Sequence, residues 1–192
     1  MSAGDGAAVD SLRDLRDRPF ELLRELERRS RAKSAGAAAE APPGREWVGV
    51  AFRIGGETFL IAREETREVL GYPPTVTRIP GAKPWIKGLA NVRGQLLPLV
   101  DLRQFLGSGV AAVGRNARVI VVNHREVPAG MIVDEVHGFR RFADSEFSTD
   151  QPPTVIRCDS YLAGAFRRGG ELWPVMSVKS LVESQSFLQA AS

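Results

Sequence analysis

Residues 86–107 read IKGLANVRGQLLPLVDLRQFLG, and the reading of this stretch decides the fold. Gly88 and Gly94 bracket a polar knot, Asn91-Val92-Arg93, and an apolar run from Leu96 to Val100 follows with Pro98 inside it. A short apolar run interrupted by proline reads as a buried or edge strand. Asp101 then stands where a helix N-cap belongs, ahead of Leu102, Phe105 and Leu106 at helical spacing, with Gly107 closing the turn. The unit is a strand, a cap and one short helix, entered through an arginine on a tight, glycine-flanked bend.

A weaker copy lies 76 residues further on, as AGAFRRGGELWPVMSVKSLV. The offset carries Gly88 onto Gly164, Gly94 onto Gly170, Leu96 onto Leu172, Pro98 onto Pro174 and Leu102 onto Val178. Arg93 falls on Gly169, so the arginine belongs to one copy alone. Two similar subdomains, duplicated and then specialised, are expected.

The chain has 192 residues, enough for one ordinary domain or two small lobes, and 43% of them are hydrophobic. Its 26 basic and 23 acidic residues leave a formal net charge of only +3. The high sequence pI of about 9.4 is therefore weak support for nucleic-acid or membrane binding. One cysteine, Cys158, excludes an intrachain disulfide framework and suits a reducing compartment. With no secretory leader pattern and no apolar run near the ~18 residues of a membrane span, a cytoplasmic protein without membrane insertion is expected.

Residues 1–45 are expected to form an N-terminal helix and a linker. Phe20, Leu22, Leu23 and Leu26 make a narrow apolar stripe within a charged segment, Ser11 to Ser34. Two readings of it stand, a solvated helix packed on the core and a docking helix for a partner. Pro42-Pro43-Gly44 ends any helix, which puts the folded domain at 46–188. From Trp47 the period is two, and Gly55-Gly56 predicts a hairpin turn between WVGVAFRI and TFLIA. Arg63 to Leu70 reads as a short helix or irregular turn, Thr75 to Pro80 as a short strand, and Arg118 to His124 as a buried strand paired with Val127 to Val133. The strand-like run His137 to Phe142 follows. A hairpin turning at Gly169-Gly170 precedes a last helix, capped by Ser177 and reaching about Phe187. Many short strands with glycine turns argue small barrels.

Chemistry is sparse. His124 and His137 have no ligand spacing, Cys158 has no nucleophile motif, and the glycine pairs match no phosphate loop. Asp134-Glu135 and Glu64-Glu65 are adjacent carboxylates, which a strand points to opposite faces. No catalytic residue, metal site or cofactor is indicated. Arg93 stands out, either as an arginine pinning its own loop or as one ordered by an acid, such as Glu68, to present a rigid protein-binding surface.

The run from Ile86 resembles the signature of the CheW-like domain, roughly F-I-K-G-V-x-N-L-R-G-x-I-x-P-I-x-D-L. The likeness spans about Glu46 to Leu188 and includes EVLGY at Glu68, DEV at Asp134 and YLAG at Tyr161. PFELL at Pro19, PGAKPWIKGLANVRGQLLP at Pro80 and IVDEVHG at Ile132 are similar to family members serving a chemotaxis-like system that controls type IV pilus twitching motility. The resemblance implies an all-β fold of two small five-stranded SH3-like barrels around a shared core, with short helices. It implies a non-catalytic adaptor between a methyl-accepting chemoreceptor signalling tip and the regulatory domain of a CheA-type histidine kinase, at the inner face of the membrane through receptor arrays. By motif match Glu68 and Arg93 would be the receptor-side pair, with Thr66, Lys87, Gly88 and Asn91 nearby. A nucleic-acid-binding SH3-like barrel is the alternative, separable by the steep salt dependence of phosphate contacts.

Overall fold

A computed structural model describes residues 46–190. The helix and linker expected over 1–45 lie outside these residues. Eleven strands run in chain order: β1 Glu46–Ile54, β2 Glu57–Ala62, β3 Thr66–Gly71, β4 Ile86–Val92, β5 Gln95–Asp101, β6 Arg118–Val122, β7 Gly130–Val133, β8 Glu135–Ala143, β9 Phe147–Ser148, β10 Leu162–Arg168 and β11 Glu171–Met176. Three short helices accompany them, α1 Leu102–Phe105, α2 Val178–Val182 and α3 Gln185–Leu188.

The strands form two mixed sheets, ordered β8-β1-β2-β11-β10-β9 and β3-β6-β7-β5-β4. The orders are the same pattern twice, with β8, β1, β2, β11 and β10 standing for β3, β6, β7, β5 and β4. Each contains one parallel contact, Val175 beside Leu60 in one sheet and Val100 beside Met131 in the other. The two-residue β9 is the sixth strand of the larger sheet. Its counterpart is the isolated bridge between Thr77 and Leu89. The lobes are thus not successive halves of the chain, because the first hairpin, β1–β2, completes the sheet built by the last strands.

Alternation explains why the strands read as continuous apolar runs. Ala51, Leu60, Phe142, Phe166 and Val175 fill one lobe, and Leu97, Leu99, Val119, Val121 and Ile132 fill the other. The intervening residues, Phe52, Phe59, Ile61, Ile120, Met131 and Val133, turn the other way into one shared core with Leu102 and Leu181. Truncating a central ring such as Phe52 to alanine would cost about 3–5 kcal/mol. Asp101 and Ser177 occupy equivalent caps, accepting from the N–H of Gln104 at 3.0 Å and of Ser180 at 3.1 Å.

Three local expectations are corrected. Arg63 to Leu70 is one 3-10 turn, Arg63–Glu65, followed by strand β3, which shifts register between Thr66 and Glu68 and from there pairs with Val121, Ile120 and Val119 of β6. Thr75 to Pro80 forms only the Thr77 bridge, because Pro73, Pro74 and Pro80 remove donors from the segment. The last helix breaks in two, with Ser184 starting α3 by accepting from the Phe187 N–H.

Candidate functional site

The β4–β5 hairpin turns through Arg93 and Gly94, with Val92 opposite Gln95. Both turn residues have positive φ, 52° and 83°, as the two-residue turn matching strand twist requires. Arg93 is the one non-glycine residue in this conformation among those described. Asn91 locks the bend by accepting the Gly94 N–H on Oδ1 at 2.8 Å. From this fixed base the Arg93 guanidinium reaches Glu68 of β3, Nη2 to Oε2 2.9 Å. The arginine side chain is 76% exposed and the glutamate 22%, so the pair is anchored from the acid's side.

Glu68 is also the hinge between two concavities. A small cleft of about 110 Å³ carries Glu68, Arg93, Val92 and Gln95. A groove of about 330 Å³ runs between the lobes, lined by Val50, Thr66, Glu68, Val69, Val136 and Phe139. Its walls come from β1 and β8 of one sheet and β3 of the other, so neither lobe alone forms it. The Thr66 hydroxyl is buried there without a hydrogen-bond partner among the described residues. Phe139, 61% exposed in this groove, was not singled out by sequence reasoning. An aromatic at a strand position gives no sequence signal of which side faces solvent.

Lys87 and Gly88 have other places. The Lys87 ammonium lies 3.2 Å from the carboxylate of fully buried Asp101 and bonds the Gln104 side chain, compensating a charge that would be costly alone. Asp101 further accepts the Ala111 N–H at 3.0 Å and so ties down the 107–117 loop. Gly88 is buried with φ 140°, and a Cβ there would stand 2.2 Å from the Thr77 carbonyl oxygen. Gly164 repeats this, 2.3 Å from the Ser148 carbonyl oxygen. Lys87 and Gly88 therefore support the fold locally, while Glu68, Arg93 and Thr66 line exposed concavities and Asn91 shapes the turn.

No group of three or more His, Cys, Asp or Glu residues suited to a metal occurs among the described residues. A cavity of about 560 Å³ lies between β2, β11 and the 152–154 loop. Its Glu57 carboxylate is spent on the N–H groups of Val155 and Ile156, at 2.9 Å each. No described helix is long and apolar enough to cross a membrane.

The family model for the CheW-like domain matches residues 48–186. The chain is 41% identical over 173 residues to Protein PilI of Pseudomonas aeruginosa, covering 90% of this chain and 96% of that one. It is 30% identical over 155 residues to the chemotaxis protein CheW of Klebsiella aerogenes, covering 79% and 92%. The crystal structure of the scaffolding protein TtCheW from Thermoanaerobacter tengcongensis superposes with a TM-score of 0.65 at 24% identity, covering 74% and 96%, which supports the fold. With the paired lobes, the shared core and the repeated hairpin, these matches mean that the chain belongs to the CheW-like domain family.

Proposed function

We propose that the chain is a non-catalytic cytoplasmic adaptor coupling a methyl-accepting chemoreceptor to a CheA-type histidine kinase in a chemotaxis-like system that controls type IV pilus twitching motility. The observation that carries this reading is the Arg93–Glu68 pair, whose glutamate lines the interlobe groove, in a chain 41% identical to PilI. The groove offers apolar area from Val50, Val69, Val136 and Phe139, while the arginine offers a rigid, exposed donor fork. An elongated receptor tip lying between the lobes would bury the first and hydrogen-bond the second. The kinase's regulatory domain would use a different surface, so one adaptor holds both.

The test is binding of the purified chain to a chemoreceptor signalling-tip fragment and, separately, to a CheA-type regulatory domain. Both should bind, and Arg93→Ala should weaken the receptor fragment alone. Absence of binding to either partner would reject the coupling role.

A further inference from the structure

A further concavity lies away from the Arg93–Glu68 pair, in the segment between β3 and β4. Tyr72, Val76, Arg78, Ile79, Lys83 and Lys87 are among the residues around a cavity of about 460 Å³ whose lining includes no acidic residue. The Lys87 charge is spent on Asp101. Arg78 and Lys83 have no carboxylate within salt-bridge distance among the described residues. Two cations thus face one concavity without a carboxylate partner among the described residues.

The backbone narrows what kind of anion fits. A site for a free oxyanion gathers unengaged N–H groups around it. In this lining the N–H groups of Ala82, Lys83 and Ile86 are taken, donating to Ile79, Ala190 and Lys83, and the adjacent Thr77 N–H donates to Leu89. The remaining wall is apolar, from Val76, Ile86 and Ile79, the last 38% exposed. Cations beside aliphatic surface match a carboxylate side chain carried next to an aliphatic one. Gly88 makes the arrangement possible, because its missing side chain lets the Thr77 backbone close against β4 and hold this segment in place.

We infer that the cavity between Arg78 and Lys83 binds an acidic, leucine- or isoleucine-containing segment of a protein partner, through two charge-assisted contacts and burial of an aliphatic side chain against Ile79. The site does not rest on the receptor-side reading, since it shares neither Glu68 nor Arg93.

The test is a titration of the ¹⁵N-labelled full chain with a capped hexapeptide of alternating glutamate and leucine. Parallel arms use a lysine–leucine hexapeptide, inorganic phosphate and a single-stranded RNA oligonucleotide. Amide shifts should concentrate at Arg78, Ile79 and Lys83 with the acidic peptide, and fade as salt rises. Arg78→Gln with Lys83→Gln should weaken binding about tenfold, as losing two partly exposed ion pairs implies. The charge-retaining pair Arg78→Lys with Lys83→Arg should keep most of it. Shifts that are absent, spread evenly, or unchanged in the glutamine variant would overturn the inference. Phosphate or RNA moving the same amides as strongly as the acidic peptide would overturn it too, in favour of an anion or nucleic-acid site.

Discussion

Arg93, at φ 52°, occupies the turn position that Gly169, at φ 58°, fills in the second copy, and the glycines that follow both have φ 83°. The two hairpins share one backbone geometry, yet only one bears a side chain that this geometry disfavours. A left-handed non-glycine residue costs about 1–2 kcal/mol. The exposed ion pair to Glu68 returns only about 0–1 kcal/mol. Arg93→Gly should therefore hold stability or raise it by up to about 1 kcal/mol, after the extra unfolded-state freedom of glycine is counted. Chemical denaturation checks this, and a loss well above that size would make the arginine a structural residue.

In the proposed receptor contact, Arg93→Ala and Glu68→Ala should each weaken binding. Because one orders the other at 2.9 Å, the double variant should lose less than the sum of the two. Calorimetric titration of all four proteins against one receptor fragment gives the cycle. Additive losses would mean the residues act separately.

Lys87→Ala should act on stability instead. It leaves the buried Asp101 carboxylate without its cation, although Lys87, 24% exposed, leaves water a route to the site. A loss of about 1–3 kcal/mol is expected, and Asp101→Ala should cost at least as much because the Gln104 and Ala111 N–H groups are orphaned. Urea midpoints measured alongside receptor affinity separate this role from direct contact.

Gly88→Ala and Gly164→Ala should behave alike, each by about 2 kcal/mol or more of destabilisation, since each Cβ would meet a carbonyl oxygen and each φ lies in the region side chains avoid. Thermal melts of the two single variants check the equivalence. If only one is destabilised, the repeat does not extend to the strands that cover these glycines.

Cys158 should be unreactive in the folded protein. Burial pushes its thiol above the usual cysteine range, the Thr154 hydroxyl at 3.5 Å opposes this in part, and the Asp159 and Glu57 charges push it further up. At pH 8 less thiolate is present than in an unfolded chain, so alkylation followed by intact mass should run about a hundredfold slower than in denaturant.

The repeat was legible because Gly88, Gly94 and Pro98 recur in register as Gly164, Gly170 and Pro174, and glycine marks close approach and left-handed turns. Glu68 was legible as Arg93's partner through the motif. Strand β3 was not, because Arg67-Glu68 breaks the apolar alternation while the ladder to β6 comes from a segment some fifty residues away. The role of Lys87 was hidden for a similar reason. A register shift between Ile86 and Gly88 accompanies its turn toward Asp101, and pleat alternation alone does not foretell such a bulge. The groove residue Phe139 depends on how two lobes meet, which local patterning does not encode.

Because β1 and β2 finish the sheet of β8 to β11, the order of synthesis and the order of assembly differ. The ribosome delivers the first hairpin long before its neighbours β8 and β11 exist, whereas β3 to β7 emerge as one uninterrupted block. The sheet of β3 to β7 can close while the hairpin still waits with Phe52, Phe59 and Ile61 uncovered. Rejoining the chain so that it starts at Arg63 and places β1–β2 after α3 would make both sheets from contiguous segments. That reordered chain would relieve the nascent protein of its exposed hairpin, and it would build each sheet from one continuous stretch while both still close over the same core.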